Sequence, residues 1–323
     1  MNNSSDILCR SSGDGNIILT KMKNIAWRFL ECRPISEIAD AVESLLPDLD
    51  EELLVKVVFR NCISTPFPPH KDYRLSVLKA LISRLDSRTE LGDALYEELS
   101  AAISAEGKDG FVTYMLNVDL GIGPLTITLK ETRAFASHGT TGLKSWPASK
   151  VLSEVLLNLG DLRGQRIVEL GSGVGLTGLC VLKARPLLES FVFTDCHGDV
   201  LRSIEENIEI NLPSGDRRAR VQFLDWCIGG NIADCDLIVG SDIVFDRDAI
   251  RPLVNLIVQM LAKNNVCEAI IASVIRNKDT YASFRGTVKN SCDIETVEVK
   301  QFRCFDRITD DFEVIRVKNK SAR

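Results

Sequence analysis

Residues Arg166 to Leu182 read RIVELGSGVGLTGLCVL. A short apolar strand enters a turn carrying Gly171, Gly173, Gly175 and Gly178, then a helix. Glycines at such a position let a ligand approach backbone N–H groups at a helix N-terminus. Three ligands compete: nucleotide phosphates, the pyrophosphate of a dinucleotide, or S-adenosyl-L-methionine (SAM). A phosphate loop needs Gly-x-x-x-x-Gly-Lys-Ser/Thr, and no lysine follows these glycines before Lys183. Gly173-Val-Gly175-Leu-Thr-Gly178 does match the dinucleotide pattern, which is weak alone. Hydride-transfer machinery is missing: none of Tyr73, Tyr96, Tyr114 and Tyr281 has a lysine four residues on.

SAM accounts for more residues. Glu169, at the strand end, suits the cationic amino group of a methionine moiety and would be awkward beside a pyrophosphate. Asp195 ends the next strand, where a carboxylate can hold both ribose hydroxyls. In LDW (224–226), Trp226 can stack on adenine, with Asp225 near its exocyclic amine. SDIVF (241–245) ends the fourth strand and faces the same crevice. Each residue also has a plainer use. Glu169 can be a surface carboxylate, Asp195 can cap the helix starting at His197, and Trp226 and Phe245 can pack in the core.

The elements that position these groups alternate. RIVEL, SFVFT, RVQFL, DLIVG and EAIIASV read as strands, and GLTGLCVLKA, VLRSIEENIEI and RDAIRPLVNLIVQML as helices between most of them. The pattern predicts a Rossmann-like α/β fold with a doubly wound, mostly parallel sheet. IETVEVKQF and FEVIRVK have no helix between them and predict an antiparallel C-terminal edge. Before the sheet, PASKVLSEVLLNL reads as a helix with proline in its first turn. FVTYMLNVDLGIGPLTITLKE predicts a hairpin turning at residues 121–124. The expected segments are a leader (1–20), a helical unit (21–105), a hairpin and connector (106–145) and the sheet domain (146–323).

The 323 residues are 45% apolar and 26% charged, with a net charge of −6 carried mostly before residue 136. That balance lacks the basic excess of a nucleic-acid-binding surface. No run reaches the roughly 18 apolar residues of a membrane span. The start lacks the pattern of a secretory signal. Ten cysteines without a Cys-x-x-Cys pair, and three histidines without metal spacing, predict free thiols and no metal site.

ELGSGVGLTGL together with SDIVF resembles methyltransferase family 16, the seven-strand protein methyltransferases. Asp242-Ile-Val-Phe245 fits the family's acidic-x-x-Tyr/Phe pattern. HGTTGLKSW (138–146), DCHGDVL (195–201), LDW and IRNKDT (275–280) further resemble the eukaryotic elongation factor 2 lysine methyltransferases, and FLECRPI (29–35) and DALYEELS (93–100) are similar to their N-terminal region. The resemblance implies a seven-strand SAM-dependent fold and methylation of an elongation factor 2 lysine in the cytoplasm; a monomer is expected, with the oligomeric state left open. It implies cofactor contacts at Trp146, Gly171, Ser172, Gly173, Asp195, Trp226 and Ser241, beside Glu169, Gly175 and Asp225 from the residues themselves. Asp242 is expected to receive the substrate ammonium and Phe245 to wall it. A different protein substrate, or a SAM-binding module without turnover, stays open. The N-terminal helices are expected either to dock the substrate or to cap the sheet.

Overall fold

The computed structural model describes residues 17–320, apart from 107–108, 117–124, 133, 135–138, 231, 233, 265, 300 and 306–307. The expected hairpin turn and most of the expected leader lie outside them. The chain divides into two compact units.

The first unit is helical and runs to Tyr114, taking back residues 128–130. It holds α1 (Ile17–Leu30), α2 (Ile35–Glu43), α3 (Glu51–Leu54), α4 (Lys71–Asp86) and α5 (Ala94–Ser104). Helix α1 begins inside the stretch expected as leader. The α3 turn starts where the Asp50 carboxylate accepts from the Leu53 N–H at 2.9 Å, filling one of the orphan donors of a helix start. It then widens into a π-helical turn at Val55–Phe59. Phe29 sits at the centre, edge-on to Phe59 and stacked on Tyr73. Cys62 is disulfide-bonded, which departs from the all-thiol expectation. The strands β1 (Phe111–Leu116) and β2 (Leu125–Lys130) form a two-stranded sheet.

The second unit is a seven-stranded sheet. Its strands are β3 (Arg166–Leu170), β4 (Ser190–Asp195), β5 (Ala219–Phe223), β6 (Leu237–Ser241), β7 (Glu268–Val274), β8 (Cys292–Thr296) and β9 (Phe312–Asn319), in the order β5-β4-β3-β6-β7-β9-β8. The first five are parallel; β9 runs antiparallel to β7 and β8 antiparallel to β9. This is the predicted mostly parallel sheet with its antiparallel edge. Five helices join it: α6 (Pro147–Asn158), α7 (Leu176–Ala184), α8 (Gly198–Asn211), α9 (Arg247–Lys263) and α10 (Lys278–Ser291). The sequence reading did not foresee α10. The chain runs outward from β3 to β4 and β5, then returns to β6 on the other side of β3. In open α/β sheets such a reversal marks the ligand crevice.

The interior strands are near-continuous apolar runs because both faces are covered. Leu253, Ile257 and Leu261 of α9 and Phe284 of α10 share one core with Val168, Ile238 and Ile271. Across the turn, α7 lies close on β4. A Cβ at Gly178 would fall 2.2 Å from a Phe193 ring carbon and 2.5 Å from one of Phe191. These rings lie 4.8 Å apart and cannot both yield. Gly178→Ala is therefore expected to destabilise the protein by about 2–3 kcal/mol or more through overpacking, read as a lower midpoint in thermal denaturation. An unchanged midpoint would mean that α7 can shift off the sheet freely.

Candidate active site

Four strands deliver residues to one cavity of about 430 Å³ beyond their carboxyl ends. Its wall contains Gly171 and Gly173 after β3, Asp195 and Cys196 after β4, Asp225 and Trp226 after β5, and Ser241, Asp242 and Phe245 after β6. Trp146, at the start of α6, and Arg276, after β7, complete it. The cavity thus unites nine residues expected at the site: Trp146, Gly171, Gly173, Asp195, Asp225, Trp226, Ser241, Asp242 and Phe245.

Gly171 and Gly173 have φ of +64° and +54°, a region costly for residues with a Cβ. Space forbids one as well. At Gly171 it would lie 2.9 Å from Ile243 and 3.4 Å from the Trp226 ring, and at Gly173 3.2 Å from the Gly142 carbonyl oxygen. The turn is a cradle of bare backbone.

Glu169, Ser172 and Gly175 lie behind this cradle. The Ser172 N–H donates to the Thr194 carbonyl, and its Oγ accepts from the Thr194 N–H, tying the turn to β4. Gly175 opens α7 against the Phe193 ring. Glu169 is almost fully buried, and its Oε2 has no hydrogen-bond partner among the described residues. Burial pushes its carboxyl up to about 8, with the nearby Ser172 hydroxyl offsetting only part of the effect. It is not the exposed strand-end carboxylate that the sequence also allowed.

Burial also raises the Asp195 carboxyl, while the N–H groups of His197, Gly173 and Cys196 hold it back. Its Oδ1 accepts from His197 N at 3.1 Å. The α8 cap itself is His197, whose ring Nδ1 accepts from Asp199 N, so Asp195 is not the helix cap. Asp225 closes a tight turn by accepting from Cys227 N at 2.8 Å. Phe245 is 64% exposed, which rules out the core role.

Trp146 is fixed from two directions. Its Nε1–H donates to the Thr141 carbonyl at 3.0 Å. Just before it, Ser145 donates through both its N–H and its hydroxyl to the Glu131 carboxylate. Thr140–Gly142, which contribute to the wall, were visible only as part of a resembling segment. The same holds for Arg276. Its guanidinium forks onto Asp242, with both terminal nitrogens at 3.2 Å, and lies 5.1 Å from the Trp146 ring centroid. Asp242 itself has φ +53°. Its carboxylate also accepts from Val274 N at 3.0 Å and Ala148 N at 3.4 Å. The expected ammonium acceptor is thus occupied by another cation in the free protein.

The family described as "Lysine methyltransferase" matches residues 127–290, just over half of the chain and all of the cradle. This chain belongs to the lysine methyltransferase family. It is similar to the protein-lysine N-methyltransferase EEF2KMT of Homo sapiens, with 28% identity over 81% of this chain and 85% of the relative. It is also similar to the protein-lysine N-methyltransferase EFM3 of Chaetomium thermophilum, at 30% identity over 80% and 84%. The methyltransferase uses S-adenosyl-L-methionine, and its site residues fit that cofactor. The bare backbone at Gly171 and Gly173 leaves room where side chains would intrude, and the buried Glu169 carboxyl behind it would be favoured in its ionised form by a cationic amine in the cavity. Among the described residues no group of His, Cys, Asp and Glu could hold a metal, and no helix is long and apolar enough to cross a membrane.

The buried Glu169 carboxyl makes stability depend on pH in a defined direction. The native carboxyl ionises near 8, against an ordinary value of 4.5. Between those values the native state holds a proton that the unfolded chain has lost, so stability falls as pH rises, by about 4–5 kcal/mol over the full window. Glu169→Gln removes the ionisation. Its melting midpoint should exceed that of the wild type by a margin that grows from about pH 4.5 and levels off above about pH 8. A margin constant with pH would show that Glu169 is already ionised in the native state.

Proposed function

We propose that this methyltransferase modifies a lysine of elongation factor 2 in the cytoplasm, as a monomer without direct nucleic-acid contact. The observation that carries the substrate reading is the extent of the similarity. The relatives match more of this chain than the sheet unit contains, so the likeness includes part of the helical unit, where the catalytic chemistry has no need of it.

A lysine amine has an ordinary pKa of about 10.4, so its neutral, nucleophilic form lies about 4–5 kcal/mol uphill at pH 7. Asp242 draws the ammonium to the mouth of the cavity. Phe245 flanks it with an aromatic face, for a cation–π contribution of about 0.5–1 kcal/mol at an exposed position. Phe245 has no group that accepts a proton, so the proton leaves to water as the substrate closes the mouth. The cavity walls desolvate the ammonium and lower its pKa. Once bound, S-adenosyl-L-methionine supplies an electrophilic methyl group. For that cofactor, Asp195 would serve the ribose hydroxyls, Trp226 and Asp225 the adenine, and the backbone at Gly171–Gly173 the methionine moiety, with Glu169 behind the turn compensating the charge of the amino group at short range. Ser172 and Gly175 hold the turn in shape, and Trp146 and Ser241 line the approach.

Incubating the purified protein with tritiated-methyl SAM and elongation factor 2 tests this directly, with Asp242→Ala as control. Label on the factor, reduced by roughly a hundredfold or more in the variant, is the expected result. Variant turnover within about threefold of wild type, at saturating concentrations, would remove Asp242 from the chemistry. Label on other proteins in a lysate but not on the factor would overturn the substrate. Cofactor binding with no label anywhere would favour a non-catalytic module.

A second expectation concerns protons. Glu169 is mostly protonated at pH 7 in the free protein, and a neighbouring ammonium favours its ionised form. SAM binding at pH 7 should release about 0.9 proton, measured by titration calorimetry in buffers of different ionisation enthalpy. Affinity should climb with pH up to about 8 and then level off. Glu169→Gln should bind more weakly and release none. Equal proton release by both proteins would place the amino group elsewhere.

A further inference from the structure

We propose that Arg276 is a resident counter-ion of the lysine slot, exchanged for the target lysine when the protein substrate docks. The inference rests on the reading of Asp242 as the group that receives the ammonium.

The Asp242 side chain is only 7% exposed. A carboxylate so enclosed cannot stand without compensation, and it has about four acceptor positions. Two are taken by the N–H groups of Val274 and Ala148, which belong to the end of β7 and the first turn of α6. These donors cannot leave without unravelling elements that shape the cavity. The other two are taken by Arg276. Its side chain is 46% exposed, and its head group also covers the Trp146 ring.

The backbone at Arg276 is tied down on both sides. Ile275 N–H donates to the Asp311 carbonyl, and the Asn277 side chain caps α10 by accepting from Thr280 N–H. Only the arginine side chain is free to swing. When it does, each Asp242 oxygen keeps one backbone bond and gains one open position, and the indole face is uncovered. An anion beside an aromatic face is what a lysine ammonium requires. Guanidinium and ammonium therefore compete for one place. Exchanging one for the other keeps Asp242 compensated throughout, so entry of substrate never strands a buried charge. Among the described residues, the other charged groups on the wall are Asp195, Asp225 and Asp246, and Lys144 lies 5.9 Å from the Trp146 ring centroid. Arg276 is the cation aligned on Asp242.

The test uses the full chain and n-butylammonium as a probe of the slot, with binding followed by indole fluorescence at constant ionic strength and no cofactor. Arg276→Gln should bind the probe at least about tenfold more tightly than wild type. Arg276→Lys, which keeps a cation but loses the fork, should fall between them. Adding Asp242→Asn to Arg276→Gln should abolish the gain. With elongation factor 2 as substrate, Arg276→Gln should lower KM by about three- to tenfold, while Kd for SAM stays within about twofold. Probe binding no tighter than wild type in either single variant would overturn the exchange. So would a raised KM, or a lower kcat at unchanged KM, since each means that arginine stays in place during the reaction. If the probe behaves as expected but the factor takes no label from any protein, the slot stands and the substrate reading fails.

Discussion

The site depends on one constraint: β3, β4, β5 and β6 end side by side, and the chain must turn away at each end. Leu170 is level with Thr194 on one side and Gly240 on the other, and Asp195 is level with Phe223. Residues just past these positions necessarily face a common space. The reversal of strand order around β3 keeps connections from covering that space. Close approach does the rest. Gly178 allows α7 to lie on the Phe191 and Phe193 rings, so the α7 N-terminus stays next to the turn that feeds it. Gly171 lets that turn pass under Ile243 and Trp226, which come from two other strand ends. The cavity is a consequence of packing that leaves almost no slack beneath it.

Three carboxylates, one buried and two half-buried, surround this cavity, and each meets the cost of desolvation differently. Glu169 has no partner for one oxygen among the described residues, and burial pushes its carboxyl up to about 8. Asp195 is held by backbone N–H groups that only partly offset its desolvation. Asp242 has a full set of donors, including a guanidinium. The three responses match different tasks. A neutral carboxyl without a partner can gain a charge when a cation arrives. A carboxylate fixed by backbone can accept further donors without moving. One paired with a flexible side chain can change partners.

Much of the sheet was legible because parallel strands buried on both faces are nearly pure apolar runs. SFVFT and EAIIASV lie wholly within the observed β4 and β7. The antiparallel edge was legible from the lack of a helix between two β-rich runs. Helix α10 was not. Its buried residues are Thr280, Tyr281, Phe284 and Val288, and the rest of KDTYASFRGTVKNS is polar. Two of those four carry hydroxyls, so the apolar stripe is too thin to rise above a loop-like composition. Helix α1 began early for the converse reason, since the apolar Ile17–Leu19 extends a periodicity that was counted from residue 21.

The glycine turn was legible as bare backbone facing a crevice because glycines at such spacing have few other uses. The division between wall and support within it was not. ELGSGVG presents Glu169, Ser172 and Gly175 on equal terms with Gly171 and Gly173, and only the packing of β4 and α7 puts the first three behind the cradle. Arg276 marks the limit more sharply. An arginine after a strand reads as a solvated charge, and Asp242 lies 34 residues earlier in the chain. Their pairing follows from β6 and β7 being neighbours in which Ser241, the last residue of β6, is level with Ala272, two residues before the end of β7. That register brings an aspartate one residue past one strand within reach of an arginine two residues past the other. Parallel neighbours place such residues side by side however long the connection between them. A motif confined to one segment therefore captures half of such a pair, and the other half is delivered by the adjacent strand.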